Sequence, residues 1–376
     1  MPDIKNVISE YIKLDGEKTV LTGICPFCSG KIIVSCDNDY YHCFNCGAGG
    51  DSVDFIQRIN HCDCIQAAEY LDRPIPKDYE ATQKVKEKIY EINREAAKFY
   101  YKQLANSRKA LKYVQSRCLT SSTLQHFGLG YAPDSGFQLV NYLKKQGYTA
   151  AEMIQANLTN ESKSGHLYDR FCDRIMFPIV DLNSHVVGFG GRILTDEKPK
   201  YLNSSNTPVF NKCRNLYGLH FAKDKADGQL ILVEGYMDVI ALHQAGIENA
   251  IATLGTALTV EQAMIIKQSC SEVVVCYDAD EPGQRATNRA LQILRTQGIT
   301  TKVLYIPDGK DPDEFIKVHG ADELRQLIKL SECELSYKLR KLKENYNMEK
   351  PEEKIKYLMM AASIITNKED VSKIIN

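Results

Sequence analysis

Short apolar runs alternate with segments of helical periodicity in the last third of the chain. From residue 229 onward, the apolar runs occupy residues 229–233, 250–253, 272–276 and 301–306. The residues after each run have helical spacing. They predict one helix that ends near residue 245 and three more that cover about residues 261–268, 284–296 and 314–319. This alternation predicts an α/β fold, a parallel sheet with crossover helices. Residues 321–376 show helical spacing alone, so we expect a short, purely helical C-terminal segment.

The middle of the chain predicts helices together with short strands. Residues 80–117 have helical spacing, and one face of that helix would carry Ile89, Ile92, Ala96 and Phe99. Residues 174–180 and 186–191 predict short strands with turns between them. We therefore expect a mixed α+β region before the parallel sheet.

Composition and charge narrow the class of protein. The 376 residues carry a net charge of −1, but residues 1–75, 76–225 and 226–376 carry −5, +9 and −5. A basic middle followed by an acidic end favours a polyanion-binding module beside one that holds cations, although solvated surface is the simpler explanation. No apolar run approaches the ~20 residues that span a membrane, and the N-terminus lacks a signal core. We expect a cytoplasmic protein with no membrane partner, and its 13 cysteines suit a reducing compartment.

Two cysteine pairs predict a metal site near the N-terminus. Cys25 and Cys28 form one C-x2-C pair, Cys43 and Cys46 form another, and 14 residues separate the pairs. Two such turns close a tetrahedron around one Zn²⁺, a structural site without an open position. Cys36 and His42 lie between the pairs and are alternative ligands.

Carboxylates follow three of the four predicted strands. Glu234 and Asp238 follow the first run, Asp278 and Asp280 the third, and Asp308, Asp311 and Asp313 the fourth. Because parallel strands end at one edge of a sheet, these side chains would converge and repel one another unless cations lie between them. Oxygen ligands of this kind select Mg²⁺ or Mn²⁺, and a pair of such ions is the usual device for phosphoryl transfer. Caps of the following helices explain one or two of these residues, not the whole set.

These motifs together resemble one family. Glu234-Gly-Tyr-Met-Asp238, Tyr277-Asp278-Ala-Asp280 and Asp308-Gly-Lys-Asp311-Pro-Asp313 are similar to the TOPRIM domain of bacterial DnaG-type primases. The cysteine pairs resemble the zinc-binding domain of that family. The segments 170–179, 188–192 and 198–204 resemble the basic subdomain of its polymerase core. The resemblance runs in order from about residue 4 to about residue 320.

The resemblance implies the roles of particular residues. A metal-binding acidic centre would consist of Glu234, Asp238, Asp278, Asp280, Asp311 and Asp313, with Glu234, Asp278 and Asp280 as its catalytic core. The groove for template and incoming nucleotide would be lined by Arg170, Arg174, Arg192, Lys200, Tyr201, Asn203 and Lys212. All seven groove residues fall in the block with charge +9, where basic groups would neutralise phosphates without reading sequence.

The resemblance also orders the chain into domains. We expect a zinc ribbon at 1–73, a linker at 74–78, a basic mixed α+β subdomain at 79–226, a TOPRIM subdomain at 227–320 and a helical subdomain at 321–376. Family members usually have His in place of Cys28. They also continue into a domain that docks on the replicative helicase, and the sequence predicts that this domain is absent here.

The sequence therefore predicts a monomeric primase that starts RNA chains on single-stranded DNA from ribonucleoside triphosphates. One structural zinc and two catalytic Mg²⁺ or Mn²⁺ ions would be its cofactors, and the replicative helicase a partner to test. Two alternatives stay open at this point. A TOPRIM nuclease would use the same acidic residues to cut DNA, and a zinc-bearing adaptor would bind single strands without catalysis.

Overall fold

The computed structural model describes residues 3–16, 19–27, 30–44, 48–60, 62–75, 79–255, 257–306 and 311–366. The chain divides into two compact units, Met1–Val85 and Lys86–Asn376.

The first unit is a small antiparallel sheet followed by helices. Its described elements are α1 (Ile4–Ser9), β1 (Leu14–Asp15), β2 (Val20–Ile24), β3 (Lys31–Ser35), β4 (Tyr40–Cys43), β5 (Gly49–Gly50), α2 (Ser52–Ile59) and α3 (Cys64–Tyr70). The strands pair in the order β1-β2-β3-β4-β5. Phe27 and Tyr41 pack around Phe55, with ring centroids 5.7 and 5.3 Å from it. This aromatic core anchors α2 to the sheet.

The second unit begins with helices and an antiparallel sheet. The long helix α4 (Tyr79–Asn106) contains the division between the units. It is followed by α5 (Arg108–Ser116), α6 (Ser121–His126), β6 (Gly130–Ala132), α7 (Gln138–Lys145), α8 (Ala150–Gln155), β7 (Thr159–Glu161), β8 (Leu167–Asp169), β9 (Arg174–Val180), β10 (Val186–Ile193) and β11 (Tyr201–Asn203). The main sheet has the order β11-β10-β9-β6, and β7 pairs with β8. The four residues predicted for the buried face of the helix are indeed buried.

A mostly parallel sheet follows. Its elements are α9 (Leu219–Ala222), β12 (Gln229–Val233), α10 (Tyr236–Gln244), β13 (Ala250–Ala252), α11 (Val260–Ser269), β14 (Glu272–Cys276), α12 (Glu281–Thr296), β15 (Thr300–Val303), α13 (Pro312–His319), α14 (Ala321–Lys329), β16 (Glu332–Cys333), α15 (Glu334–Glu344) and α16 (Pro351–Thr366). Short 3₁₀ helices cover Lys212–Arg214 and Lys223–Lys225. The strand order is β13-β12-β14-β15-β16. The predicted parallel sheet with crossover helices is confirmed.

Both faces of this sheet are covered, which explains the continuous apolar runs. Ile231, Val233 and Val274 join a core that they share with Phe177 of the antiparallel sheet. The alternate residues of β12 and β14 face the other way and pack against α12. The core therefore joins the antiparallel sheet to one face of the parallel sheet.

Two predictions about elements were wrong. Residues 321–376 are not purely helical, because β16 pairs antiparallel with β15 at the edge of the sheet. A two-residue strand has too little periodicity to appear in the sequence pattern. The fourth strand covers Thr300–Val303, so residues 304–306 of the predicted run lie beyond it. Leu304 and Ile306 are nonetheless apolar because they are buried in the same core, whereas Tyr305 between them is 45% exposed.

Candidate active site and zinc site

The two described cysteines of the predicted zinc site lie in equivalent turns. The backbone N–H of Cys25 donates to the carbonyl of Gly30 at 2.7 Å, and that of Cys43 donates to the carbonyl of Ala48 at 2.7 Å. Both cysteines are buried. Matching turns that each bury a thiol fit the two halves of a tetrahedral zinc site. Cys28 and Cys46, the other two predicted ligands, lie outside the described residues.

The sheet topology brings the predicted carboxylates to one edge of the parallel sheet. Glu234 directly follows β12, Asp238 lies in the first turn of α10, and Asp278 follows β14. Asp280 is the N-cap of α12, and Asp311 is the N-cap of α13. We call these five residues the acidic rim.

Backbone hydrogen bonds hold the acidic rim in place. The Glu234 carboxylate accepts a hydrogen bond from the backbone N–H of Asp278 at 3.1 Å, which links the ends of two neighbouring strands. Asp238 accepts from the N–H of Gly235 at 3.1 Å. Asp280 accepts from the N–H of Gly283 at 2.8 Å. Each of these bonds uses one carboxylate oxygen and leaves the other for a ligand.

Burial and mutual repulsion raise the pKa of three carboxyls in the rim. Burial, and then the charges of Asp311 and Asp278, raise the pKa of Asp238 to about 8. The pKa of Glu234 is raised by burial and then by Asp278. The pKa of Asp278 is raised by burial, Asp311 and Asp280, against the lowering effect of Lys200. A cation among these groups would relieve their repulsion.

The donor set of the rim fits a hard divalent cation. Among the described residues, no group of three or more His, Cys, Asp and Glu side chains is placed to hold a metal ion. Mg²⁺ commonly keeps several waters and takes one or two carboxylates together with substrate phosphates. The rim therefore fits a cation that is completed by substrate.

Asp313, which the sequence grouped with the metal ligands, has two cationic partners. Its side chain is only 4% exposed, and Oδ2 lies 3.2 Å from Nη1 of Arg117 and 2.7 Å from Nζ of Lys317. The pairing satisfies its charge within the protein. Its role as a metal ligand stays a prediction.

Three of the predicted groove residues present positive charge near the rim or near one another. Lys200 is exposed and close enough to Asp278 to lower the pKa of that carboxyl. Burial, and then the charge of Arg170, lower the pKa of Lys212. Two cations that lie this close together attract an anion such as a phosphate.

Arg170 and the remaining predicted groove residues also make contacts within the protein, and Nη2 of Arg170 donates to the carbonyl of Asn203 at 3.2 Å. Arg174 is 6% exposed, and its Nη1 donates to the carbonyls of Gly191 and Pro199 at 3.0 and 3.1 Å. The structure therefore places Arg174 as a support for the segment that carries Lys200. The Arg192 guanidinium donates to the Tyr201 hydroxyl at 3.1 Å.

Asn203 connects the antiparallel sheet to the start of α10. Its Oδ1 accepts from the hydroxyl of Tyr236 at 2.8 Å, and its Nδ2 donates to the carbonyl of Leu254 at 2.7 Å. Tyr236 lies against Gly190 of β10, where an added Cβ would be only 2.6 Å from the tyrosine ring. This close approach fixes the first turn of α10, which carries Asp238.

Sequence reasoning missed several residues that shape the site. Arg117 could not be recognised because its partner Asp313 lies 196 residues away. Gly283 was also missed, although it stands soon after the Asp278-Ala-Asp280 motif. A Cβ at Gly283 would lie 2.2 Å from the carbonyl oxygen of Asp278 and 3.0 Å from Oε1 of Glu234. The position of Gly283 soon after two aspartates was the feature of the sequence that could have indicated its role.

Three segments of the chain match known protein families. Residues 1–87 match the CHC2 zinc finger, residues 99–223 the N-terminal domain of the DNA primase catalytic core, and residues 231–316 a Toprim-like domain. The CHC2 zinc finger implies zinc, and the Toprim-like domain implies divalent cation binding.

Curated relatives that are similar to this chain include DNA primases. The primase of Clostridium acetobutylicum is 41% identical over 99% of this chain and 64% of its own length. The primase of Aquifex aeolicus is 39% identical over 88% of this chain and 67% of its own length. The chain thus spans about two thirds of the length of these relatives.

Solved structures of primases are also similar to this chain. The zinc-binding and RNA polymerase domains of the Aquifex aeolicus primase match with a TM-score of 0.66 and 34% identity, over 97% of this chain and 91% of that chain. A DnaG catalytic domain bound to single-stranded DNA matches with a TM-score of 0.64 and 31% identity, over 76% of this chain and 94% of that one. The chain belongs to the family of DnaG-type DNA primases. In the part of the chain that the structure describes, none of the helices could cross a membrane.

Proposed function

We propose that this chain synthesises short RNA primers de novo on single-stranded DNA. The observation that carries the proposal is the acidic rim, in which the backbone N–H of Asp278 donates to the Glu234 carboxylate at 3.1 Å and so joins two carboxylates at the ends of neighbouring strands. Lys200, an exposed cation just before β11 of the antiparallel sheet, acts on the same carboxylates, because its charge counteracts the rise in the pKa of Asp278. Phosphate-binding and metal-binding groups are adjacent in this arrangement, as nucleotidyl transfer requires.

The acidic rim would hold the divalent cations. We propose Glu234, Asp238, Asp278, Asp280 and Asp311 as the residues that bind two Mg²⁺ or Mn²⁺ ions. When bound, these cations would activate the attacking 3′-hydroxyl and stabilise the leaving pyrophosphate. Asp313 is proposed as a sixth ligand of these cations, with Arg117 and Lys317 as its ion-pair partners within the protein.

The chain itself would supply orientation and charge. Lys200, Arg170 and Lys212 would bind phosphates of the template or of the incoming ribonucleoside triphosphates. Arg192 and Tyr201 would present a cation and a ring to the same groove, since Arg192 lies 5.5 Å over the Tyr201 ring. Holding two nucleotides in line on the template is a large part of such catalysis.

One zinc ion is proposed in the first unit, held by Cys25, Cys28, Cys43 and Cys46. Its role would be structural, since four protein ligands leave no open position. We also propose the domain boundaries expected from the sequence, with the linker at 74–78, and a monomeric state.

The test is template-dependent incorporation of labelled ribonucleotides on single-stranded DNA without any added primer. We expect short RNA from the wild type and at least ~10²-fold less from Asp278→Asn, because that carboxylate lies at the centre of the rim. Binding to single-stranded DNA should be retained in the variant. Asn288→Ala, on the exposed side of α12, is the matched control and should be fully active.

Two outcomes would contradict the proposal. Loss of end-labelled DNA that depends on Asp278, without RNA synthesis, would indicate a nuclease. Single-strand binding without any synthesis, across Mg²⁺, Mn²⁺ and several templates, would indicate a binding protein.

A further inference from the structure

Gln244 joins the parallel sheet to the turn that follows Arg117. It is the last residue of α10, the helix whose first turn carries Asp238. Its Oε1 accepts from the backbone N–H of Thr120 at 2.9 Å and from the hydroxyl of Thr123 at 2.7 Å. Its Nε2 donates to the carbonyl of Cys118 at 2.9 Å. One amide thus holds two backbone groups of the turn and one hydroxyl in the first turn of α6.

That turn has a constrained backbone. Cys118 has a φ of +59°, a left-handed conformation that few residues other than glycine adopt readily. Thr120 caps α6, with its hydroxyl accepting from the N–H of Thr123 at 3.1 Å. The hydrogen bonds from Gln244 offset the cost of this conformation and fix the end of α5.

Arg117 stands immediately before the turn and contacts Asp313, which lies two residues after Asp311 of the acidic rim. Its guanidinium lies 3.2 Å from Asp313 and 5.8 Å over the ring of Tyr113. The charge of Asp313 in turn acts on Asp238. A turn that shifts by even a fraction of an ångström would move Arg117 relative to both carboxylates.

We propose that Gln244 is a positioning residue for the active site, acting by holding Arg117 against Asp313. The inference rests on the proposed function for its catalytic consequence. Helix α10 would then connect two parts of the site, because it carries Asp238 at one end and fixes the turn after Arg117 at the other.

The experiment compares Gln244→Met, which keeps the length and removes all three hydrogen bonds, with Gln268→Met on an exposed position of α11. The first measurement does not depend on activity. The coupling between Arg117 and Asp313 in the free energy of unfolding is obtained from Arg117→Met, Asp313→Asn and the double variant. We expect this coupling in the wild type and in Gln268→Met, and its loss in Gln244→Met.

The second measurement is primer synthesis. We expect Gln244→Met to lower kcat about tenfold with KM for nucleotides unchanged, since misplacement of a positioned group costs rate. In an Arg117→Met background the same change should alter kcat by less than about twofold, because the two residues act as one unit. Gln244→Glu, which keeps both accepted bonds, should restore part of the rate.

The two measurements distinguish the structural role of Gln244 from its effect on primer synthesis. An unchanged Arg117–Asp313 coupling in Gln244→Met would overturn the inference. A lost coupling with unchanged kcat would also overturn it, and would leave Gln244 as a structural contact. If the wild type makes no RNA but Gln244→Met loses the coupling, the proposed function fails while the positional link stands.

Discussion

Arg117 and Asp313 are 196 residues apart in the sequence, yet Nη1 of the arginine lies 3.2 Å from Oδ2 of the aspartate. Asp313 is 3% exposed, so its charge depends on Arg117 and on Lys317 for compensation. The contact joins the helices before the antiparallel sheet to the helix that follows β15. It is therefore a link between the two sheets of the second unit.

Arg117→Met should destabilise the second unit. The change leaves a buried carboxylate with one cation in place of two, and we expect the free energy of unfolding to fall by about 1–3 kcal/mol. Urea denaturation followed by circular dichroism measures this loss. Adding Asp313→Asn to Arg117→Met should recover part of it, because the buried group is then neutral. Equal stability of Arg117→Met and the wild type would contradict the prediction.

Lys212→Met and Arg174→Met should affect DNA binding in different ways. If Lys212 contacts a phosphate, its loss should reduce the slope of log K against log salt by about 0.7 for single-stranded DNA. Arg174 donates to backbone carbonyls, so Arg174→Met should leave that slope unchanged and lower the stability instead. Fluorescence anisotropy at a series of salt concentrations distinguishes the two. A smaller slope in Arg174→Met would show that the arginine reaches DNA directly.

Removal of zinc should unfold the first unit. A sheet of short strands with a small aromatic core has little apolar area to bury, and a structural zinc supplies much of the folding energy of such domains. We expect a chelator to release one zinc per chain and to expose residues 1–73 to proteolysis. The parallel sheet of the second unit should remain protected. Cys25→Ser should reproduce the effect without chelator, whereas Cys213→Ser, at an exposed position, should not.

The sequence predicted the parallel sheet well because its strands are buried on both faces. Residues 230–233 and 273–276 are apolar throughout, and each run, with the polar residue before it, coincides with β12 or β14. Their carboxyl ends then placed Glu234 and Asp278 at one edge by topology alone. The edge strand β16 could not be predicted, because it is held by pairing with β15 and not by its own two residues.

The basic groove was harder to predict, because charge does not reveal where a side chain points. Lys200 and Arg174 are both cations of the basic region, but Lys200 is exposed, whereas Arg174 is buried and donates to backbone carbonyls. The same difficulty applies to Asp313 among the carboxylates. Whether such a side chain binds a ligand or pairs within the protein depends on long-range partners such as Arg117. A single sequence carries no record of such contacts.

Gly283→Ala should impair the acidic rim while the fold is retained. The added Cβ would lie 2.2 Å from the carbonyl oxygen of Asp278, so the strand end or α12 must shift. We expect at least a tenfold loss in kcat (about 1.4 kcal/mol in the barrier), because Asp278 and Glu234 would move together. Steady-state kinetics over a range of Mg²⁺ concentrations measures the loss. Asn288→Ala, on the same helix, should keep full activity, and equal activity of Gly283→Ala would contradict the prediction.

His220 should make the second unit less stable at acidic pH. Burial, and then the nearby His126, His243 and Lys223, lower the pKa of His220 from 6.5 to about 4. The unfolded chain therefore binds a proton between pH 6.5 and 4 that the folded chain does not bind. Stability should fall as the pH is lowered through this range, by up to about 3 kcal/mol at pH 4.

His220→Phe should reduce this pH dependence, since the ring shape is kept and the titrating group is removed. Urea unfolding at pH 7, 6, 5 and 4 would measure the difference between the variant and the wild type. Some dependence should remain, because burial also lowers the pKa of His243. His166→Gln, at an exposed position, is the control and should follow the wild type. If His220→Phe loses as much stability as the wild type between pH 6.5 and 4, His220 is not the group responsible.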